Sequence, residues 1–561
     1  MVDAVVIGAG PNGLVAANLL ADAGWEVALL EARPSPGGGV ASAGYLGDGW
    51  VTDVCSAFYP LAAVSPVVSG LGLEHHGLRW SHAPAVLAHP RGGDRAAVLW
   101  RDVEATAAGF ERDAAGDGRA WKGLHRLWER VGGSLLDALF TPFPPLRAAA
   151  RLGRELGAGG ALRLARFAAL PVRRLAQEEF RGEAAGLLLA GCALHADFFP
   201  ESAASAFFGW LLAMLGHHAG FPVAEGGAAR LTAALVDRFE ARGGTVLCDH
   251  PVARVEVRGG RAVGVLTAGG GYFPARRAVL ADVPAPHLYG GLVGWEHLPP
   301  AMAGDVRRFQ WDWSTVKLDW ALAAPVPWEA TEVSGAGTVH LASSLDELTR
   351  YSSEIARGLV PAEPFVLAGQ LSTADPTRSP PGTEVLYAYT HVPRTVAGDA
   401  AGGGSGSIRG TWDAADLESM ADRVEARIER FAPGFRSLIR RRHLLGPAGL
   451  EAHDPNLVGG AVNGGTAAPH QQLFFRPLPG LGRPETPVEG LYLASSSAHP
   501  GGGVHGACGS NAARAALMQR SALHRVLVAP ALSRVRRSLQ RPLTGEGAGP
   551  AAGGVLPPDA C

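Results

Sequence analysis

Near the start of the chain, the spacing of apolar residues predicts a strand, a helix and a second strand. In AVVIGAGPNGLVAANLLADAGWEVALLEA, a short apolar run at 5–7 is followed by apolar residues at helical spacing over 14–23. Gly24 is a suitable C-cap for this helix, and the apolar run at 27–30 predicts a second strand. The pattern predicts a strand–helix–strand unit with a glycine-rich turn at its first corner.

The middle of the chain, residues 220–284, alternates apolar and polar positions in short runs. A pair of glycines precedes a predicted helix at 228–241, and RGGR at 258–261 predicts a hairpin turn. The strands predicted here are 245–247, 252–257, 262–267 and 278–281.

Three further runs predict single elements. LYLA at 491–494 predicts a short strand, and a helix is expected from about residue 504. An alternating run at 315–320 predicts another strand. The longest apolar run, 202–215, has 14 residues, whereas a helix that spans a bilayer needs roughly 20. It therefore predicts a buried helix.

Length and composition indicate the class of protein. The chain has 561 residues, of which 47% are apolar and 18% charged, which predicts a globular protein of about two to four domains. A net charge of −2 gives no reason to expect nucleic acid as a partner. No secretory pattern precedes the first strand and the number of cysteines is odd, so the expected location is cytoplasmic.

Cysteine and histidine spacing argues against a metal site. No two cysteines form a C-x-x-C motif, so neither a redox dithiol nor a thiolate metal site is expected. The histidine pairs 75–76 and 217–218 lack further ligands at a suitable spacing, and we expect no metal. The cysteines are Cys55, Cys192, Cys248, Cys508 and Cys561.

The glycine-rich turn carries the strongest chemical signal. Gly8, Gly10 and Gly13 form G-x-G-x-x-G between the first predicted strand and helix. The first glycine permits the tight turn, the second lets a diphosphate approach the backbone, and the third lets helix and strand pack closely. The helix N-terminus offers free N–H groups to phosphates. The sequence therefore predicts a dinucleotide site.

An acidic residue at the end of the second strand supports this prediction. Glu31 stands 18 residues after Gly13, where its carboxylate can accept hydrogen bonds from ribose hydroxyls. Its negative charge disfavours the 2′-phosphate of NADP. A second glycine turn at 37–39 suits a long cofactor whose phosphates are held from two sides.

These motifs resemble those of a known family. Glu31 followed six residues later by Gly-Gly is typical of FAD-binding flavoproteins related to amine oxidases and phytoene desaturases. An arginine usually follows that pair, and Gly39 stands there in this chain. With GAGPNGLVAANLL and GWVTDVCSAFYPL (49–61), the chain is more similar to the phytoene dehydrogenase-related branch, which includes pyridine nucleotide-disulfide oxidoreductase domain-containing proteins. The end of the chain, LYLASSSAHPGGGV, resembles the closing FAD element of this family, with Ser495 and Ser497 where glycines are usual.

The resemblance implies an α/β fold in which a Rossmann-type FAD-binding domain is built from three separated segments. The expected segments are 1–75, 215–290 and 455–527. Residues 76–214 and 291–454 are expected to form an inserted α+β substrate domain, and 528–561 a disordered tail. The residues expected to bind FAD are Gly8, Gly10, Pro11, Asn12, Gly13, Glu31, Ala32, Gly38, Gly39, Ser42, Val252, Ser495, Gly502, Gly503 and Val504.

The resemblance also implies a function. We expect an FAD-dependent oxidoreductase that removes a hydride from an apolar substrate such as a polyene. The sequence has no second nucleotide fingerprint in a strand–helix setting, so oxygen or a quinone is the expected electron acceptor. Two alternatives stay open: a redox-neutral isomerase that uses reduced FAD, and a flavin-binding protein that acts mainly through partners.

The sequence assigns no catalytic side chain. His499 and His505 flank the predicted flavin loop and are the first candidates to test. His195 and Asp197 lie two residues apart near a helix end, a spacing at which side chains do not face each other well.

Two segments of the inserted regions have open interpretations. Residues 140–180 hold seven arginines in an amphipathic pattern, which fits either a membrane-surface helix or an ordinary surface helix. Four tryptophans could wall an apolar pocket or belong to the core of a sheet. They are Trp311, Trp313, Trp320 and Trp328.

Overall fold

The strands and helices of this protein are taken from a computed structural model that describes residues 1–404 and 406–518. The predicted tail at 528–561 lies outside the described residues.

Strands and helices alternate in the first part of the chain, and a long helical stretch follows. The strands are β1 (Val2–Ile7), β2 (Val27–Leu30), β3 (Ser42–Ala43), β4 (Thr52–Asp53), β5 (Trp80–Ser81), β6 (Ala85–Pro90), β7 (Ala96–Leu99), β8 (Val223–Ala224), β9 (Thr245–Leu247), β10 (Val252–Arg258), β11 (Arg261–Thr267), β12 (Tyr272–Ala281), β13 (Ser314–Leu322), β14 (Ala336–Leu341), β15 (Leu359–Val360), β16 (Val366–Gln370), β17 (Glu384–Val392), β18 (Gly398–Asp399), β19 (Ile439–Leu445) and β20 (Leu491–Leu493). The α-helices are α1 (Pro11–Asp22), α2 (Pro60–Val64), α3 (Pro66–Ser69), α4 (Val103–Asp113), α5 (Asp117–Phe140), α6 (Leu146–Ala169), α7 (Val172–Glu179), α8 (Ala184–Leu194), α9 (Ser205–Ala219), α10 (Ala229–Glu240), α11 (Pro300–Arg307), α12 (Leu345–Ala356), α13 (Leu371–Ala374), α14 (Ala414–Phe431), α15 (Pro447–His453) and α16 (Ala507–Met518).

The first sheet joins strands that are far apart in the sequence. Its parallel part runs in the order β9, β2, β1, β12, β20, and β11 and β10 continue it as an antiparallel extension. Strand β2 is apolar along its whole length and β1 is apolar except for Asp3, because helices α1, α10 and α16 and neighbouring segments cover them. This confirms the expected α/β fold.

Most predicted elements of this sheet are present, with shifted ends. Helix α1 begins at Pro11 and not at residue 14, because proline is well suited to the first helical turn. Helix α16 begins at Ala507 and not at about 504, because Gly506 has a φ of +69°, which a right-handed helix cannot contain. Strand β12 is longer than predicted, since its first half pairs with β11 and its second half with β1.

The second sheet belongs to the inserted segments. Its seven strands run in the order β19, β13, β17, β16, β14, β6, β7, so both insertions contribute to it. The strand predicted at 315–320 is β13, which lies between β19 and β17. Helices α12 and α14 add apolar residues to the cores on its two faces.

A group of helices covers one face of the second sheet. Helix α8 is buried along its whole length, and α9 corresponds to the buried helix predicted at 202–215. Trp121 and Trp210 are fully buried between these helices and α5. No helix among the described residues is long and apolar enough to cross a membrane.

Candidate active site

A cavity of about 990 Å³ opens at the carboxyl ends of β1 and β2. Parallel sheets bind ligands at this edge, where the loops that follow the strands meet. Its lining includes Gly8, Gly10, Glu31, Ala32, Arg33, Gly38, His250 and Val252.

The glycine-rich turn has the close packing that the motif predicts. Gly8 has a φ of +88°, and a Cβ on Gly13 would stand 2.0 Å from the Gly8 carbonyl oxygen. A Cβ on Gly10 would project toward Asp282, 2.9 Å from its Oδ2 atom. Gly10 is the N-cap residue of α1 and lines the cavity, so its backbone borders the place where a diphosphate would lie.

Glu31 is fixed by the backbone around it. Its Oε2 atom accepts a 2.7 Å hydrogen bond from the Ala9 N–H, and Oε1 accepts a 2.9 Å bond from the Arg33 N–H. The residue is 8% exposed and lines the cavity. A carboxylate oxygen has more than one lone pair, so both oxygens can still accept hydrogen bonds from ribose hydroxyls.

Two buried aspartates that the sequence did not single out lie at this site. Asp282 follows β12, and its Oδ2 atom accepts a 2.7 Å hydrogen bond from the Gly13 N–H. Burial raises the pKa of Asp282 to about 8, and burial likewise raises the pKa of Asp454 to about 6. At neutral pH Asp282 is therefore mostly uncharged, which removes a charge that would otherwise repel a diphosphate, whereas Asp454 is mostly ionised. The only sequence signal for Asp282 is its place after an apolar strand.

A second cavity, of about 270 Å³, adjoins the first. The two cavities share the lining residues Gly10, Asp454 and Asn456, so they are neighbours beside the glycine turn. Predicted residues that line the second cavity are Pro11, Asn12, Gly39, Gly503 and Val504.

The far wall of the second cavity is a face of the second sheet. Lys317 of β13 pairs in register with Tyr389 of β17, and alternation puts Thr315 and Tyr387 on the same face. The rings of Tyr387 and Tyr389 are nearly parallel, with centroids 6.4 Å apart. The Lys317 ammonium forms an ion pair with both carboxylate oxygens of Asp319. Its charge is therefore balanced within the wall.

Of the four residues of the closing loop that were predicted to bind FAD, two line the second cavity. Gly503 and Val504 line it, whereas Gly502 packs against Asn463 and Ser495 accepts the Ser497 N–H. Ser496 and Gly464 line the cavity, although the sequence did not single them out.

Ser42 and Gly13 lie outside both cavities. The Ser42 hydroxyl donates to Asp53 and accepts the Ala229 N–H, so it ties the first segment to α10. Gly13 does not line a cavity but supports residues that do. It packs closely against Gly8, and its N–H donates to Asp282.

The two histidines of the closing loop are buried behind it and line neither cavity. Nδ1 of His505 accepts the Ala507 N–H, which caps the start of α16. His499 makes an edge contact with Phe143, and burial lowers the pKa of each histidine to about 4. Their geometry fits support of the loop.

His195 and Asp197 point to different partners. His195 lines the second cavity, whereas Asp197 lies 3.3 Å from Nε2 of His391 and accepts the Trp313 N–H. Burial raises the pKa of Asp197 and lowers that of His391 to about 4, so a neutral pair is favoured.

Of the four tryptophans, one lines a cavity. Trp311 borders the first cavity, and Trp313 packs beside the helical core. Trp320 and Trp328 are buried in the sheet core, where their indole N–H groups donate to Glu425 and Gln370.

Comparisons with known proteins agree with this site. The sequence profile described as flavin containing amine oxidoreductase matches residues 12–391. Pyridine nucleotide-disulfide oxidoreductase domain-containing protein 2 of Mus musculus is 29% identical over 559 residues, covering 91% of this chain and 92% of the relative. Hydroxyneurosporene desaturase of Cereibacter sphaeroides is 29% identical over 518 residues, with 89% and 94% covered.

Solved structures share the fold at low sequence identity. An oxidoreductase from Methanosarcina mazei has a TM-score of 0.59 at 16% identity, over 92% of this chain and 100% of that one. Putrescine oxidase with bound putrescine has a TM-score of 0.56 at 17% identity, over 92% and 98%. The family match covers more than half of the chain and agrees with the dinucleotide cavity at the first sheet. The chain is therefore an FAD-dependent oxidoreductase of the flavin containing amine oxidoreductase family.

Proposed function

We propose that this enzyme removes a hydride from a small, largely apolar substrate held in the second cavity. The observation that carries the proposal is that the cavity at the glycine turn and a second cavity share Gly10 as a lining residue. The second cavity is walled by Phe58, Leu212, Phe221 and the two tyrosines of β17. A dinucleotide laid along a path past Gly10 would extend its far end into a mostly apolar chamber.

The residues of both cavities fit FAD. Glu31 and Val252 would hold the adenosine end, and the N-terminus of α1 at Gly10 would hold the diphosphate. Gly503 and Val504 would border the flavin end. Two observations support the fit: Gly10 lacks the Cβ that would point at Asp282 beside the path, and the buried Oδ1 of Asn12 has no hydrogen-bond partner among the described residues.

The protein's own part in the reaction is to position the substrate and exclude water. When bound, FAD supplies a flavin ring that accepts a hydride from a carbon atom. The aromatic and aliphatic wall keeps water away, and the paired Lys317 and Asp319 add no net charge to it. An apolar C–H donor needs no strong general base.

The volume of the second cavity limits the size of the substrate. A volume of about 270 Å³ lies below the roughly 300–1,000 Å³ of sites for drug-sized ligands, and the flavin takes part of it. We therefore propose a compact substrate in place of the long polyene expected from the sequence.

Absorbance of the purified protein tests the proposal. We expect flavin bands, FAD in the supernatant after heating, and anaerobic bleaching by substrate. Reoxidation by oxygen or by a quinone then identifies the electron acceptor. A protein that cannot be reconstituted with FAD, or holds FAD that no small apolar compound reduces, would contradict it.

Helix α6 supports a further part of the proposal, contact with a membrane surface. Ala148 alone is buried in this helix, while Leu146 and Leu162 are 72% and 73% exposed. Exposed arginines along the helix would attract anionic headgroups. They are Arg147, Arg151, Arg154, Arg163 and Arg166.

Sedimentation with vesicles tests the membrane contact. We expect binding to phosphatidylcholine vesicles that contain phosphatidylserine, and weaker binding by a Leu146→Ser, Leu162→Ser double variant. If wild type and variant stay in the supernatant to the same extent after the vesicles are sedimented, the result contradicts membrane contact through α6.

A further inference from the structure

Two histidines lead from the tyrosine wall of the second cavity into the core: His195 is half-buried and borders the cavity, and His340 lies deeper. The Nε2 atoms of His195 and His340 lie 2.8 Å apart, and Nδ1 of His195 lies 3.3 Å from the Tyr389 hydroxyl. His340 belongs to β14 and is fully buried, whereas His195 follows α8. The three side chains form a line that ends at the cavity.

The surroundings of His340, at the inner end of this line, determine which ring nitrogens carry hydrogen. Nδ1 of His340 has no hydrogen-bond partner in the described part of the chain. A Cβ on Gly191 would stand 2.2 Å from that atom, so the nitrogen packs directly against the backbone of α8. Buried N–H groups without a partner are rarer than buried acceptors without one. The hydrogen of His340 therefore belongs on Nε2.

The other hydrogens follow in order. Burial lowers the pKa of His195 to about 3 and that of His340 well below its usual range, so each ring is neutral and carries one N–H. Nε2–H of His340 donates to Nε2 of His195. Nδ1–H of His195 then donates to the Tyr389 oxygen. Because the Tyr389 oxygen already accepts, its own hydrogen is free to point into the cavity.

We propose that Tyr389 donates this hydrogen bond to an uncharged acceptor oxygen of the substrate, a carbonyl or hydroxyl oxygen. The proposal rests on the proposed function, since it takes the second cavity as the substrate site. It narrows the substrate class to a compact, mostly apolar molecule that carries an oxygen, and it disfavours a pure hydrocarbon. A carboxylate is disfavoured too, because the Lys317 charge is already paired with Asp319.

The line of side chains cannot pass protons onward. It ends at Nδ1 of His340, which faces the backbone of Gly191 and not water. His195 and His340 are therefore positioning residues that set the direction in which the Tyr389 hydroxyl donates.

Binding of two matched probes to the FAD-loaded enzyme tests the proposal. Carvone and limonene have the same carbon skeleton, and only carvone carries a carbonyl oxygen. Each is titrated anaerobically while the flavin absorbance is followed. We expect carvone to bind about tenfold more tightly, the value of one neutral hydrogen bond. In Tyr389→Phe this preference should fall to within about twofold, with limonene affinity unchanged.

Two variants separate positioning from a general structural role. His340→Leu removes the inner donor, so His195 can take the other tautomer and accept the Tyr389 hydrogen. The preference for carvone should fall, whereas a purely structural defect would weaken both probes alike. Tyr387→Phe, which removes a hydroxyl from the same wall without a histidine contact, should keep the preference.

Several outcomes of these experiments would contradict the proposed role of Tyr389. Equal affinity for the two probes, no binding of either probe to FAD-loaded enzyme, or a preference that survives in Tyr389→Phe would overturn the inference. A protonated Nδ1 of His340 in ¹⁵N-histidine NMR spectra would overturn it as well. A protein without FAD would instead contradict the proposed function, and FAD content is therefore measured first.

Discussion

At the scale of single residues, the site depends on one carboxyl group, that of Asp282, which is kept neutral beside the cofactor path. Asp282 bonds to the Gly13 N–H and borders the second cavity, while Asp454 borders both cavities. Ionised, Asp282 would add a second negative charge to that of Asp454 beside a diphosphate. Burial avoids this, at the cost of making stability depend on pH.

Asp282→Asn should change that pH dependence. The folded pKa of Asp282 is about 8 against an ordinary value of 3.8. Between these values the unfolded chain releases the proton and the folded protein keeps it, so this group makes stability fall as pH rises, by up to about 1.4 kcal/mol per pH unit. The free energy of unfolding of the variant, relative to that of wild type, should therefore increase between about pH 4 and pH 8. Above pH 8 the difference between the two proteins should stay constant.

Urea unfolding of both proteins at several pH values measures this difference. Subtracting the two curves removes the contributions of the buried histidines, which act in the opposite direction. Parallel curves over the whole range would contradict a neutral Asp282.

Glu31→Gln should weaken FAD binding. Each carboxylate oxygen of Glu31 accepts a backbone N–H, and an amide offers only one acceptor, so one buried N–H loses its partner. We expect a loss of about 1–3 kcal/mol in the free energy of unfolding and at least a tenfold rise in the FAD dissociation constant. Glu26→Gln, at the exposed start of β2, is the control and should leave FAD binding unchanged.

The residue scale also shows which parts of the site the sequence can predict. Gly8, Gly10 and Glu31 were found because their spacing follows from one local turn. Asp282 and Tyr389 were not, because they reach the site only through the pairing of distant strands. A lone aspartate after a strand, or a tyrosine within one, carries no local signal of its partners.

At the scale of elements, the site requires the helices from both ends of the described chain to touch. A Cβ on Gly509 of α16 would stand 1.9 Å from the Asn12 carbonyl oxygen of α1. The small residue thus lets the N-terminal turns of the two helices approach and present their N–H groups to one cofactor path.

Gly509→Ala should therefore separate the helices. We expect a destabilisation of about 1–3 kcal/mol from overpacking and weaker FAD retention on gel filtration. Gly133→Ala in α5 is the matched control, because a Cβ there meets nothing within 4 Å. It should be neutral or stabilise by up to about 1 kcal/mol. Similar behaviour of the two variants would argue against the close contact.

Element prediction succeeded for alternating strands and for buried strands that a neighbouring motif marks, such as β2 and β20, and it missed buried strands without such a mark. The strands at 252–267 alternate, and their positions were predicted to within a residue or two. Strands β16 and β17 are buried almost throughout and show no alternation in VLAGQ and EVLYAYTHV. Without that period, a buried strand cannot be told from a short buried helix.

At the scale of the whole molecule, the cofactor path joins the two sheets. The first sheet and its glycine turn form one side of the path, and β13 and β17 of the second sheet form the other. A ligand bound there stabilises the folded state of both.

Removal of FAD should lower the stability of the whole protein. At FAD about 100 times above its dissociation constant, binding contributes about 2.7 kcal/mol, so the apoprotein should melt several degrees lower. Hydrogen exchange should accelerate in 1–75, 215–290 and 455–518 together, since these segments share a sheet. Acceleration confined to the loop at 495–506 would contradict this coupling.

The pairing of β20 with β12 has a consequence for the order of synthesis. Every residue up to β20, which begins at Leu491, must leave the ribosome before β20 and α16 can form. Yet β20 pairs with β12, α16 packs against α1, and the loop between them lines the second cavity. The nascent protein can form β1, α1 and β2 early but cannot enclose the cofactor, because contacts of such wide sequence separation form last. FAD can therefore be enclosed only after α16 has left the ribosome, and the supply of free FAD from that point onward would govern how much active enzyme a cell obtains.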